Sequence, residues 1–205
     1  SFLVSCAQQT ALTGGEKDVN APILIIDSTK EIINFNQSSI LLKFNENVQF
    51  IDGNKGFITN PEIKNIEVIQ DKKNLEIKWE DSLTSNTTYS FLFLNSITDM
   101  TESNKISSFN YIISTGYYLD SGSISGQVVK YPEKSILENS LVKLVSISNS
   151  DFFYKTYSNK NGEFKIDNIK KGEYLMSSFI DENDNLILDT TTEVHGFLLD
   201  TIFIK

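Results

Sequence analysis

Arginine is absent from this 205-residue chain, and cysteine and histidine occur once each, as Cys6 and His195. Without a guanidinium there is no planar fork for bidentate pairing to phosphate or guanine. Eighteen lysines against 27 Asp plus Glu leave a net charge of −9, so nucleic acid is excluded as a partner. A single Cys rules out an internal disulfide, a Cys/His zinc cluster has too few ligands, and any histidine triad would have to be built on His195. No run of about 18 apolar residues occurs, so no transmembrane helix is expected. The acid excess is spread along the chain: 9 Lys and 15 acids up to residue 120, then 9 Lys and 12 acids. Neither half has a basic face for anionic lipid. These absences remove most catalytic chemistry, and the expectation is a protein that is not an enzyme and carries no cofactor, apart from one candidate Ca²⁺ loop.

What the chain does have is a core and a pattern. Hydrophobic residues make up 40%, enough to fold. Residues 7–21 are polar and aperiodic and read as a tether ending before Pro22. Beyond it, apolar and polar residues alternate, as in Leu75-Glu76-Ile77-Lys78-Trp79, the mark of a half-buried strand. Ile40, Leu42 and Phe44 repeat the pattern, as do Tyr89, Phe91 and Phe93, then Phe109, Tyr111 and Ile113, with Asn, Asp, Gly and Ser clusters between. A second series of strands is expected at 124–130, 141–147, 152–157, 163–166, 173–179 and 193–198. Asn161-Gly162 between two of these runs predicts a two-residue type I′ hairpin. No helical periodicity of ten residues is present. The expectation is an all-β protein of two tandem β-sandwiches, with residues 1–21 as leader and tether, 22–120 as the first domain and 121–205 as the second.

Some residues carry candidate chemistry. In Asp181-Glu182-Asn183-Asp184-Asn185-Leu186-Ile187-Leu188-Asp189, oxygen side chains at Asp181, Asn183, Asn185 and Asp189 suit a wrapped hard cation such as Ca²⁺, with Glu193 as a further carboxylate. The competing reading is a plain turn, because Asn and Asp bond nearby amides; Leu186 and Thr192 also stand where a helix-loop-helix calcium site has Gly and Glu. His195 sits in an alternating strand with no nucleophile beside it. Carboxylate pairs such as Glu80-Asp81 and Asp181 with Asp189 would serve a glycosidase only if a cleft set them roughly 5–10 Å apart; among 27 acids such pairs arise by chance. Trp79 and most Phe and Tyr fall on inward positions and read as core. Tyr117-Tyr118 and Phe152-Phe153-Tyr154 are the exceptions, since a triplet turns at least one ring outward.

Several stretches resemble known families. Leu3-Val4-Ser5-Cys6 is similar to a lipobox, which implies diacylglycerol on Cys6 and stable anchoring by two or three acyl chains; the alternative is a lone core cysteine. The residues after it, Ala7-Gln8-Gln9-Thr10, lack the early acidic cluster of surface-exported Bacteroidetes lipoproteins, which favours the periplasmic face of the outer membrane. Thr13-Gly14-Gly15-x-Lys17-Asp18, Ala21-Pro22, Leu41-x-Lys43-Phe44-x-Glu46, Leu83-x-x-Asn86-Thr87-Thr88-Tyr89, Ile97-x-Asp99 and Ser114-Thr115-Gly116 together resemble Bacteroidetes outer-membrane lipoproteins with an SbsA-type bacterial Ig-like domain. Ile124-x-Gly126-x-Val128 and Asn161-Gly162-x-Phe164-x-Ile166-x-x-Ile169-x-x-Gly172-x-Tyr174 resemble the carboxypeptidase regulatory-like, transthyretin-like fold. Asp81-Ser82-Leu83 and Asp200-Thr201-Ile202 are similar to the Bacteroidetes O-glycosylation pattern, with Ser82 and Thr201 as acceptors. The resemblance implies binding modules without an active site. The expected role is a lipid-anchored accessory subunit whose partner is an outer-membrane or envelope protein complex; the alternative is a surface carbohydrate-binding module of a glycan-uptake system.

Overall fold

In the computed structural model the described residues are 17–25, 32–51 and 55–205, and none of them is helical. The first half holds β1 (Ser39–Lys43), β2 (Val48–Phe50), β3 (Phe57–Asn60), β4 (Ile66–Asp71), β5 (Asn74–Trp79), β6 (Thr88–Phe93), β7 (Ile97–Asp99) and β8 (Phe109–Ser114). Two antiparallel three-stranded sheets, β1-β5-β4 and β3-β6-β8, face each other, with β2-β7 at the side. The alternation read in β5 is what makes this possible. Leu75, Ile77 and Trp79 are buried while Glu76 and Lys78 face outward and pair at 3.2 Å. Register carries the same face across the sheet, Ile40 opposite Ile77 and Leu42 opposite Leu75. From the opposing sheet Tyr89, Phe91, Phe93, Tyr111 and Ile113 close one contiguous core. Phe93 stacks on Phe109 at 4.8 Å and tilts against Phe57 at 4.9 Å, a packing worth about 1 kcal/mol per pair beyond the area buried.

The second half begins with β9 (Gly122–Gln127), β10 (Val129–Lys130), β11 (Ser135–Ile136) and β12 (Leu141–Ser146). It continues through β13 (Phe153–Tyr157), β14 (Glu163–Ile169), β15 (Gly172–Phe179), β16 (His195–Phe197) and β17 (Ile202–Ile204). One sheet runs β13-β12-β15, with β16 and β17 both on the free side of β15; the other is the pair β9-β14. Leu144, Tyr154, Ile166, Ile169 and Tyr174 form its buried cluster, with Met176, Ile202 and Ile204 packed against it. The tandem all-β sandwich expected from the alternation is thus the fold. Gly126 is needed where it stands: it faces Phe164 across β9-β14, and a Cβ there would lie 2.9 Å from the ring.

Two expectations are corrected. Asn161-Gly162 is not a type I′ hairpin. Of the two, only Gly162 has positive φ, at 72°, and the strands on either side, β13 and β14, lie in different sheets. Asn159 organises the corner instead, its side-chain oxygen accepting from the amides of Asn161 and Glu163. The run expected at 124–130 is also two strands, since the chain leaves β9 at Gln127 and β10 turns back onto β11.

Candidate functional site

The sequence candidates fall in separate places. Cys6 lies outside the described residues. Ser82 is exposed in the loop between β5 and β6, and Thr201 is half-buried just before β17. His195 Nδ1 lies 2.8 Å from the Glu193 carbonyl oxygen, and its ring packs edge-on to Phe197. Glu80 and Asp81 are exposed. Tyr117 and Tyr118 are the outward pair, 81% and 59% exposed. Within the aromatic triplet, Phe152 and Tyr154 meet edge to face at 5.6 Å in the second core, and Phe153 is the ring that turns the other way.

The loop from Asp181 to Asp189 spends its oxygens on its own backbone. The buried Asp181 carboxylate accepts from Asn185 N at 3.1 Å and Leu186 N at 2.9 Å. Asn183 Oδ1 accepts from Asn185 N, and Asn185 Oδ1 from Ile187 N. Asp189 takes both the amide and the hydroxyl of Thr191, which holds its carboxyl below the usual range. Glu193, also buried, ties the two ends together by accepting from Glu182 N and Asp189 N. Among the described residues no three His, Cys, Asp or Glu are grouped to hold a metal ion. Asp184 reaches the other half of the molecule instead, 3.0 Å from Lys55 Nζ.

The residues that sequence reasoning missed join the two halves. At the end of β3, Asn60 uses its carboxamide as a peptide group: Nδ2 donates to the Lys155 carbonyl at 2.9 Å, and Oδ1 accepts from Lys155 N at 2.8 Å. Glu62 N donates to the Phe153 carbonyl at 3.0 Å. The outer edge of β13 is thereby paired by the first half, which covers a strand edge that would otherwise be free. Lys155 Nζ lies 2.6 Å from Glu62 Oε2, with side-chain exposures of 6% and 21%. A second lysine, Lys143, stands opposite Lys155 in the sheet with its ammonium 4.0 Å over the Phe153 ring. Burial first, then the neighbouring Lys155, push its pKa down, against a smaller opposing pull from Glu62.

A parallel set of contacts flanks this clasp. The Asp120 carboxylate accepts from Thr88 N at 2.9 Å, and Asp120 N donates to Thr88 Oγ1 at 2.6 Å. Asn168 Nδ2 donates to the Asp120 carbonyl, and Lys170 Nζ reaches Thr87 Oγ1 at 2.9 Å. Between the clasp and the mouth of the first sandwich lies an open cavity of about 500 Å³, walled by Phe50, Phe57, Ile66 and Val68 and closed by Lys155 and Leu186 from the second half. The sequence signal for the clasp was a lysine inside each of two otherwise apolar or aromatic strands, Lys143 in β12 and Lys155 in β13.

This architecture is that of two β-sandwiches in tandem. Residues 18–114 match the family described as the bacterial Ig-like domain, a stretch just under half of the chain. No curated protein matches the chain. Among solved structures it is similar to the N-terminal part of the bacterial S-layer protein SbsC, at 13% identity and a TM-score of 0.32, covering 88% of this chain and 45% of that one. It is also similar to BcpA, the major pilin subunit of Bacillus cereus, at 13% identity and a TM-score of 0.27, covering 85% and 62%. The chain thus spans about three fifths or less of the length of each.

Proposed function

We propose that the chain is a lipid-anchored envelope protein of the outer membrane that works without catalysis, as a structural or protein-binding accessory subunit. In this reading Cys6 carries the lipid, residues 7–21 are the tether, 22–120 form the Ig-like domain and 121–205 a transthyretin-like one, on the periplasmic face of the membrane. The observation that supports it best is the clasp of Asn60 and Glu62 on β13, which gives two small sandwiches a fixed relation, as a spacer or docking platform requires. The test is affinity purification of the full chain from detergent-solubilised membranes of its own cells. A stoichiometric envelope protein co-purifying with it is the expected result, and a solitary monomer defeats the reading. Cys6→Ala is expected to release the protein from the membrane, and intact mass on native material reads acylation at Cys6 and any glycan on Ser82 or Thr201.

One observation favours a second reading, a surface carbohydrate-binding module. Tyr117 and Tyr118 are adjacent, and both are more than half exposed, and aromatic faces can seat sugar rings. Protease shaving of intact cells separates surface from periplasm, and loss of glycan binding in Tyr117→Ala/Tyr118→Ala would support the sugar.

A further inference from the structure

The sheet β13-β12-β15-β16 has one face in the second core, carrying Leu144, Tyr154, Tyr174 and Met176. Alternation puts the neighbours of these residues on the other face, where the register draws straight rows across the strands. One row is Lys155, Lys143, Ser177 and Phe197. The next is Phe153, Val145 and Leu175. The row on the opposite flank contains Leu141 and Phe179, which are 0% and 2% exposed, so that end of the face is already covered. The other end is open: Leu175 is 49% exposed and Phe197 58%.

Into this open apolar patch the fold places a cation it does not neutralise. Lys155 is paired with Glu62, but among the described residues Lys143 makes no ion pair; its ammonium has the Phe153 ring at 4.0 Å and nothing anionic at bonding distance. The next carboxylate on the same face of β15 is Glu173, two side-chain rows from Ser177 and therefore roughly 13 Å along the strand. Two lysines share one carboxylate in a half-buried setting. Such a charge weakens the fold unless something else uses it, and functional residues are where a chain tolerates that cost.

We propose that Lys143, with Val145, Leu175 and Phe197 around it, is the centre of a docking face that receives a carboxylate from an acidic, apolar β-segment of a partner protein. The charge supplies the missing anion, and the exposed apolar residues on both sides supply the area. An extended partner segment whose acidic and apolar residues stand two apart presents both on one face, and lies against this face of the sheet. This deepens the reading of the chain as a protein-binding subunit and rests on it.

The probe is the synthetic peptide acetyl-Val-Ser-Glu-Ser-Val-amide, whose two valines and glutamate share one face of an extended strand, titrated into the full isotope-labelled chain while backbone amide shifts are followed, with the lysine counterpart acetyl-Val-Ser-Lys-Ser-Val-amide as control. The acidic peptide is expected to give saturable shifts centred on β12, β15 and β16 that weaken with added salt, and the lysine peptide none. Lys143→Met is expected to weaken binding by roughly tenfold or more and to raise the melting temperature, because it removes an unpaired, partly desolvated charge. Equal binding of both peptides, shifts elsewhere, no shifts, or unchanged affinity in Lys143→Met each overturn the proposal. A Lys143→Met variant that melts lower also overturns it, because the lysine would then be structural. If the peptide fails while an envelope protein still co-purifies, only the docking face falls; a solitary monomer in the co-purification removes the broader function.

Discussion

The two sandwiches are held together in different ways. Among the described residues the first is packed around one cluster of fourteen buried hydrophobic residues, dominated by aromatic and aliphatic contacts between opposing sheets; the second has a cluster of five, with Leu141, Val142, Phe164 and Phe179 buried outside it. The second compensates with polar devices: the Asp181 and Glu193 carboxylates knitting its longest loop, and the borrowed pairing of Asn60 and Glu62 along β13. A small apolar core leaves a small domain marginal, so the second half is expected to depend on the first more than the first depends on it.

The comparison breaks at its strongest point with Phe91→Ala. Phe91 is 0% exposed and sits between Trp79 and the rest of the first core, and the cavity should cost about 3–5 kcal/mol in urea unfolding. Because β13 loses its edge partner when the first sandwich opens, both halves should unfold together; a surviving second transition would show that it stands alone. Glu62→Ala comes next. It strands Lys155, 6% exposed, without its anion, at a cost of about 3 kcal/mol, and hydrogen exchange should quicken in β13 and β12 with little change in β5. Asn60→Ala leaves the Lys155 amide and carbonyl unpaired, worth about 1–3 kcal/mol, with the same asymmetry.

The smallest effect is the response to acid. Burial opposes ionisation of Asp99, yet the amides of Glu102, Asn104, Ser103 and Thr101 outweigh it and hold its carboxyl below 3.8. A carboxyl whose folded pKa lies below its unfolded one stabilises fully above the unfolded value and loses that contribution as pH falls through the folded one. Asp99 in the first half and Asp167 and Asp189 in the second are all lowered, so stability should drop below about pH 4. Asp99→Asn should flatten the drop. A drop unchanged by that substitution would mean other carboxyls control it.

The strands were legible wherever one face is wet, because water on one side enforces alternation; β1 and β5 could be read from their spacing alone. The clasp could not. Asn60 and Lys155 stand 95 residues apart, and an Asn before a Pro reads locally as a turn. Asn161-Gly162 shows the same boundary from the other side: the local signal announces a reversal and says nothing about which sheet the next strand enters. Oxygen-rich spacing at Asp181–Asp189 was equally ambiguous, since the groups that wrap a cation also wrap their own amides.

Asn60 also bears on how the protein ages. Asparagine converts spontaneously to aspartate when the amide nitrogen of the following residue attacks its side-chain carbonyl, and here a carboxylate would face the Lys155 carbonyl that the amide now donates to. The following residue is Pro61, whose nitrogen carries no hydrogen. That route is closed, and the contact joining the two sandwiches is protected from the commonest chemical decay of its own side chain.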